Sequence, residues 1–378
     1  MSVVFHPPPR RILVRGVNWL GDAVMTTPAL LRLREHFPAA HITLLTPAKL
    51  QELWTGHPAV DDIIAFAAGE GLWAIAKKLH AGRFELALVL PNSPRSALEP
   101  WLARIPQRIG YARPWRNALL TRAIPARPGA VKMHKRTPEA IRALTAAAGG
   151  TAGGRRAPAI PASAHQLHEY LHLVAALGAR AEPLAPHLTV SPAELAATRE
   201  RFGLANGLLP LAGLNPGAEY GPAKRWPAER FIAAALAVSA QTPCMWAVFG
   251  GNNDRAAAET IATALHAANL PVTNLAGRTG LRELMAALKL CRVLLTNDTG
   301  PMHVAAALGT PVVVPFGSTS PELTGPGLPG DSRHRLLKSA AVCSPCFLRE
   351  CPIDFRCLTG IGVERVAAEV LHALKLAA

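Results

Sequence analysis

The chain has 378 residues, with 50% hydrophobic and 17% charged side chains. That length suggests two or three domains, and the composition excludes a largely disordered chain. The formal net charge of +15 favours anionic partners: phosphorylated small molecules, a phosphate-bearing membrane surface or nucleic acid. No apolar run reaches the ~18 residues of a transmembrane helix, and the proline-rich N-terminus is not a secretory signal. A cytoplasmic protein with an anionic ligand is the starting expectation.

Arg11 to Arg15 reads as a short buried strand, followed by a loop from Gly16 to Gly21. Thr27-Pro28 is expected to open a helix, because Thr is a good N-cap and Pro suits the first helical position. That helix should end near Phe37. Ile42 to Leu45 and Phe84 to Leu90 read as further strands. Strands alternating with helices predict an α/β fold with parallel sheets. The Gly-, Ala- and Pro-rich stretch from Ala146 to Ala164 reads as a flexible surface loop. A helix is expected from His168 to Leu177, ended by Gly178. Residues Ala179 to Val190 resemble an interdomain linker, and Ser191-Pro-Ala-Glu194 is a capping box that starts a helix.

The second half repeats the rhythm. Strands are expected at Leu208 to Leu214, Met245 to Phe249, Val272 to Leu275, Val293 to Thr296 and Val312 to Phe316. Helices fit at Ala228 to Ser239, Arg255 to Ala267, Leu281 to Leu288 and His303 to Leu308. Two doubly wound domains follow, with ligands at the carboxyl ends of their strands.

Several loops carry candidate chemistry. Gly16-Val-Asn-Trp-Leu-Gly-Asp22 is neither a dinucleotide fingerprint nor a P-loop, since Asp22 stands where the P-loop needs Lys. Asp22 is either a general base or a partner for the dipole of the helix beside it. Asn215 to Pro227 is a strand-to-helix loop in which Lys224 and backbone N–H groups suit phosphate. Asn252 and Asp254 follow a strand and could hold a ribose or form an ordinary turn with a cap. Asp298-Thr299-Gly300 brings an acid, a hydroxyl and bare backbone to a helix N-terminus, with His303 one turn on.

Between Glu99 and Glu139 there are nine bases and no acid. Trp101, Tyr111 and Trp115 are interleaved with Arg104, Arg108, Arg113, Arg116, Arg122, Arg127, Lys132, Lys135 and Arg136. The pattern fits single-stranded nucleic acid, a phosphorylated glycolipid at a membrane, or a solvated basic face. Cys343, Cys346, Cys351 and Cys357 cluster, which suggests a structural zinc, although the spacing is not that of a zinc ribbon. Free thiols or a disulfide pair stay open.

Four segments carry a family likeness: Asn18-Trp-Leu-Gly-Asp22 with Thr26 to Leu30, Asn215 to Pro227, Asn274-Leu-Ala-Gly277, and Asn297-Asp-Thr-Gly-Pro-Met-His303 with the following Val304 to Leu308. The chain resembles the lipopolysaccharide heptosyltransferases of glycosyltransferase family nine, and within them the type II branch. The resemblance implies a GT-B fold of two Rossmann-like domains facing a central cleft. It divides the chain into an acceptor-binding domain over 1–182, an ADP-heptose-binding domain over 190–360, and a C-terminal helix over 361–378. It implies an inverting, metal-independent enzyme without a required cofactor, which adds the second heptose to the inner core of lipopolysaccharide (Kdo–lipid A with one heptose).

By the same resemblance Asp22 is the general base. Lys224, Asp298, Thr299, Gly300 and His303 contact the donor's heptose or diphosphate. Asn252 or Asp254 lies near the ribose, and Leu275, Ala276 and Gly277 lie near the adenine. Asn18, Trp19, Arg113 and Arg116 are expected to meet the acceptor. The cysteines are not expected to be catalytic, because only some members of the family carry them. The implied location is cytoplasmic, peripheral at the inner membrane, with no nucleic-acid partner. A sibling heptosyltransferase (type I or III), another nucleotide-sugar transferase of the family, and a nucleic-acid-binding protein are the alternatives.

Overall fold

A computed structural model describes residues 5–147, 160–204 and 209–376. The chain divides into two compact units. The first comprises Met1–Ala130 and Ser163–Thr189, and the second Val131–Ala162 and Val190–Ala378. Most of the stretch from Ala146 to Ala164, expected as a loop, lies outside the described residues, as does Leu208.

The first unit holds β1 (Arg11–Arg15), α1 (Leu20–His36), β2 (His41–Pro47), β3 (Asp62–Phe66), α2 (Leu72–Ala81), β4 (Leu86–Val89), α3 (Pro94–Leu102), β5 (Gln107–Tyr111) and β6 (Arg122–Ile124). Next in the chain comes α4 (Pro138–Ala147), which belongs to the second unit. It is followed by α5 (Leu167–Ala175), which returns to the first. The second unit continues with α6 (Pro192–Phe202), β7 (Leu211–Asn215), α7 (Ala228–Ser239), β8 (Met245–Val248), α8 (Arg255–Ala267), β9 (Val272–Asn274), α9 (Leu281–Leu290), β10 (Val293–Thr296), α10 (Gly300–Ala307) and β11 (Val312–Phe316). It closes with the single turns α11 (Pro321–Thr324) and α12 (Arg356–Thr359), strand β12 (Arg335–Lys338) between them, and the terminal helix α13 (Val363–Leu376).

Each unit contains one six-stranded sheet, ordered β3-β2-β1-β4-β5-β6 and β12-β11-β10-β7-β8-β9. Every strand pairing is parallel. Counted from each unit's own first strand, both sheets follow the order 3-2-1-4-5-6 of a doubly wound nucleotide-binding fold. Parallel strands are covered on both faces, so their interiors read as continuous apolar runs. Ile12, Leu13 and Val14 of β1 and Val293, Leu294 and Leu295 of β10 are buried in this way. Burying each such side chain contributes about 1.5–3 kcal/mol. Helix α13 buries Val366, Val370 and Leu374 in the same cluster as Phe231, Ala235 and Val238 of α7.

The order of the strands also fixes where a ligand can sit. It reverses between β1 and β4 in one sheet and between β7 and β10 in the other. Loops leaving the carboxyl ends of these strand pairs diverge and leave a crevice.

One expectation is corrected. Thr27-Pro28 does not open α1; the helix starts at Leu20, with Pro28 inside it. Proline removes the N–H that would reach the Val24 carbonyl. The Thr27 hydroxyl supplies the missing donor, bonding the Val24 oxygen at 2.8 Å. The capping box at Ser191 and Glu194 is present as expected. Strands β3, β5, β6 and β12 are additions to the sequence reading. They are short and partly polar, so no long apolar run marks them.

Candidate functional site

In the first unit, β1 delivers the chain into the Gly16–Asp22 loop at the switch point. Gly16 fits against the neighbouring strand, where a Cβ would approach the Leu45 oxygen and the Leu44 side chain, each to 3.2 Å. Trp19 caps α1 without a side-chain hydrogen bond, and Asp22 sits in the first helical turn. A carboxylate there complements the helix dipole.

The loop is held from beneath by a buried ion pair. Arg15 Nε donates to Glu99 Oε2 at 2.7 Å, and both side chains are almost fully buried. The Arg15 Nη1 atom also donates to Asn18 Oδ1 at 2.9 Å and to the Gly16 oxygen at 2.6 Å. Asn18 is thus fixed from below. Trp19 is 56% exposed, with the Lys49 ammonium 5.2 Å from its ring centroid. Asp22 Oδ1 accepts a hydrogen bond from Gln166 Nε2 at 3.1 Å, and the same nitrogen lies 3.0 Å from Tyr170 Oη. Burial, then the Asp22 charge, pushes the Tyr170 phenol well above its ordinary pKa, so it stays protonated.

The basic stretch does not form one solvated face. Its Lys132, Lys135 and Arg136 belong to the second unit, and the rest to the first. Arg136 Nη1 donates to the Val342 oxygen at 3.1 Å, and Arg127 pairs with Glu169 at 3.2 Å. Arg113 lies half-buried with its guanidinium 5.5 Å from the Tyr111 ring. Arg116 is 0% exposed, a correction to its reading as a surface base. Its Nη1 donates to the Pro91 oxygen at 2.6 Å, but Nε and Nη2 have no hydrogen-bond partner. Burial, then the charge of Arg113, lowers its pKa to about 10. A Cβ on Gly110 would lie 2.7 Å from Nη2 and 3.0 Å from the Val89 oxygen, so this guanidinium lies at the carboxyl end of β4 and β5.

In the second unit the loops after β7 and β10 interlock. Asn215 and Thr296 are register partners, joined side chain to side chain at 2.9 Å. Asn297 is fully buried; its Oδ1 accepts from Trp226 N at 2.9 Å, and its Nδ2 donates to the Pro216 oxygen at 2.7 Å. This clamp brings the Lys224 ammonium to 2.7 Å from Asp298 Oδ2. Thr319, from the loop after β11, donates its hydroxyl to the same oxygen at 2.5 Å. Thr299 caps α10 without a side-chain bond, Gly300 and Pro301 form its first turn, and His303 is buried within it. Tyr220 packs 5.1 Å from the Lys224 ammonium and donates its hydroxyl to the Phe347 oxygen at 2.8 Å. The loop needs Gly221, whose φ is +148° and whose missing Cβ would stand 2.5 Å from the Arg349 oxygen.

Leu275 N and Gly277 N bond back to the Val248 and Gly250 oxygens at 2.8 and 2.9 Å, laying this segment beside the loop after β8. A Cβ on Gly277 would meet Asn252 Oδ1 at 2.6 Å, so Asn252 and Gly277 are neighbours. A cavity of about 520 Å³ opens there, lined by Arg255, Glu259, Asn274, Ala276 and Arg278. Asp254 behaves as a cap: Gly251 N donates to its Oδ2 at 3.0 Å, and Arg225 Nη2 lies 3.3 Å from its Oδ1.

All six cysteines are free thiols. Cys343 and Cys346 pack with Ile141 of α4, and Cys357 joins the core of the second unit. Cys351 Sγ accepts from Phe355 N at 3.3 Å. Among the described residues, no group of three or more His, Cys, Asp or Glu side chains could hold a metal ion. The structural zinc suggested by the density of cysteines therefore finds no ligand set among the described residues. Burial pushes the Cys357 thiol up to about 12 and raises Cys343 and Cys346 as well.

Sequence reasoning passed over Gln166, Tyr170, Glu99 and Thr319. Only Thr319 left a signal, in the polar Gly317-Ser-Thr-Ser run after an apolar strand.

Residues 72–355 match the model of glycosyltransferase family 9 (heptosyltransferase). Lipopolysaccharide heptosyltransferase 2 of Salmonella typhimurium is 32% identical over 324 residues, covering 84% of this chain and 85% of that protein. Lipooligosaccharide heptosyltransferase 2 of Haemophilus influenzae is 31% identical over 325 residues, 83% and 85% of the two chains. The solved structure of E. coli ADP-heptose lps heptosyltransferase II superposes with a TM-score of 0.75 at 28% identity, covering 97% of this chain and 99% of that one. The two six-stranded parallel sheets are the Rossmann-like domains of a GT-B fold. This chain belongs to glycosyltransferase family 9, the heptosyltransferases.

Proposed function

We propose that the enzyme transfers L-glycero-D-manno-heptose from ADP-heptose to the singly heptosylated inner core of lipopolysaccharide, inverting the anomeric centre. The observation that carries the donor half is the Lys224 ammonium, 2.7 Å from Asp298 and beside the N-terminal turn of α10. A cation next to a helix N-terminus suits a diphosphate. The acceptor half is supported by the names of the relatives, heptosyltransferases 2 acting in lipopolysaccharide or lipooligosaccharide synthesis.

Asp22 takes the proton from the acceptor hydroxyl as that oxygen attacks the anomeric carbon. The new C–O bond forms as the bond to phosphate breaks, and ADP departs with the electron pair from the opposite face. Lys224 and the backbone at Thr299 and Gly300 answer the charge growing on the diphosphate, a role that needs no catalytic metal. Asp298 would repel phosphate; with Thr319 bonded to it, it is suited to a heptose hydroxyl. His303 supports the same turn, Asn252 lies toward the ribose, and Leu275, Ala276 and Gly277 toward the adenine. Asp254, already a cap, serves the ribose through the loop it fastens.

Asn18, Trp19 and Arg113 are assigned to the acceptor. Arg116 is assigned to one of its anionic groups, because the buried Nε and Nη2, with three N–H groups lacking acceptors, are costly until an anion meets them. Among the described residues, no helix is long and apolar enough to cross a membrane. Peripheral binding at the cytoplasmic face of the inner membrane is proposed from the net charge of +15 and from Trp115, which is 93% exposed beside Arg113.

A transfer assay with chelator present tests the whole reading. ADP-heptose is offered with acceptors carrying no heptose or one. Transfer to the one-heptose acceptor alone is expected, and transfer to the heptose-free acceptor would move the assignment to a type I enzyme.

A further inference from the structure

Resting on the base role proposed for Asp22, we infer that Gln166 and Tyr170 of α5 are positioning residues that aim and tune the Asp22 carboxylate. Gln166 occupies the N-cap position of α5, and Tyr170 follows four residues later, on the same helical face. Gln166 Nε2 donates to Asp22 Oδ1 at 3.1 Å while lying 3.0 Å from Tyr170 Oη. The amide is therefore braced between the carboxylate and a phenol that has no freedom to move, since Tyr170 is buried.

The brace is itself anchored. Leu167, Leu171 and Val174 bury the inner face of α5. Tyr111, at the end of β5, donates its hydroxyl to the Glu169 oxygen at 2.8 Å and ties the helix to the sheet. Asp22 and α5 lie in the same unit although 144 positions separate Asp22 from Gln166. A carboxylate on the first turn of α1 has rotational freedom that a base waiting for one hydroxyl cannot use. Fixing Oδ1 removes that freedom before the acceptor arrives.

The chemistry of the brace matters as much as its geometry. An amide donates to the carboxylate but cannot take the proton, so it does not compete with Asp22. The Tyr170 phenol of α5 interacts with the Asp22 charge and stays neutral; from its own helix Asp22 meets the N-terminal dipole. The nearby Glu169 charge acts on Tyr170 as well. A donated hydrogen bond favours the ionised carboxylate, and so keeps the base ready at lower pH.

Three variants test the inference in the full chain: Gln166→Leu, Gln166→Glu and Tyr170→Phe. The readout is the pH profile of kcat/KM for the acceptor. Removing the donor in Gln166→Leu should move the acid limb up by about 1 pH unit, the worth of one hydrogen bond to a charged group. Gln166→Glu places a like charge on Asp22 and should move the limb further up, with nearly unchanged volume. Tyr170→Phe should lower kcat about threefold to tenfold with the same sign of limb shift, while KM for ADP-heptose stays within twofold. If Gln166→Leu does not fold, the near-isosteric Gln166→Glu still decides.

An acid limb at the wild-type position in the Gln166 variants overturns the inference. Asp22→Asn is measured beside them. Loss of turnover in Asp22→Asn with unshifted Gln166 variants leaves the base role standing and removes only the brace. Retained turnover in Asp22→Asn removes both.

Discussion

Lys224 and Asp298 form an ion pair whose partners come from different loops, one after β7 and one after β10, with Nζ and Oδ2 2.7 Å apart. The side chains are only 15% and 5% exposed. Parallel strands β7 and β10 lie side by side in register, Asn215 against Thr296, so the two loops leave the sheet at the same level. Lys224→Met is expected to lower kcat by about 100-fold or more, the usual loss when one preorganised charge stabiliser is removed. Steady-state kinetics with ADP-heptose checks this. A wild-type kcat in Lys224→Met would remove the ammonium from the diphosphate's site.

Asp298→Asn tests the other partner. It keeps an oxygen for the Thr319 hydroxyl and removes the charge facing Lys224. If Asp298 receives a heptose hydroxyl, turnover should fall while affinity for ADP alone holds or rises, because repulsion of the phosphates has gone. Calorimetric titration with ADP gives the sign. Weaker ADP binding would mean that Asp298 serves only to place Lys224.

Arg116 makes a different kind of prediction. Its guanidinium is fully buried, with two nitrogens unpartnered. Arg116→Met removes a charge whose burial is costly, so melting temperature should hold or rise. Acceptor KM should increase at least about tenfold, with KM for ADP-heptose unchanged. An unchanged acceptor KM would leave the residue a purely internal support for the Pro91 carbonyl.

The pH dependence of stability follows from His57 and His334. Burial is the largest cause for each and lowers both to about 4 from the ordinary 6.5. Each is neutral in the fold and protonated more readily in the unfolded chain. Their contribution is complete above about pH 6.5 and is lost as pH falls toward 4, at up to about 3 kcal/mol each. Glu194 acts in a lower window. The hydrogen bonds from Arg282 hold it near 2, so its contribution is present above pH 4.5 and is lost as pH falls toward 2. Urea unfolding at pH 7 and pH 4.5 should show the first loss. His57→Asn, which keeps an acceptor for Ala59 N, should shrink it. An equal slope in wild type and variant would show that His57 carries none of it.

Gly221→Ala probes the loop that carries Lys224. A Cβ there would stand 2.5 Å from the Arg349 oxygen, at a φ of +148° that side chains avoid. Strain of about 1–3 kcal/mol is expected. It should appear as a lower melting temperature and a raised KM for ADP-heptose. A raised KM without a lower melting temperature would mean that the loop shifts to relieve the clash.

Much of the architecture was legible in the chain. Apolar runs such as Val293–Thr296 and Val312–Phe316 mark buried parallel strands directly, because both faces are covered. The capping box at Ser191 works through contacts three residues apart, so a local pattern suffices to find it. Where local signals conflicted, context won. Thr27-Pro28 has the form of a helix start, yet it lies inside α1, because the Thr27 hydroxyl satisfies the carbonyl that proline leaves unpaired.

The site was legible one residue at a time, as polar loops after apolar strands: Asp22, Lys224 and Asp298 with Thr299. Its partnerships were not. Gln166 reaches Asp22 across 144 positions, Lys224 meets Asp298 across two strands paired side by side, and Arg116 turns inward from a stretch that reads as surface. The sequence by itself determined the fold class, the family and the loops that carry chemistry, because periodicity and short motifs are properties of neighbouring residues. Only the tertiary structure decided which side chains meet Asp22, which charges pair and which cation is buried, because those follow from strand order and from where polar atoms lose water.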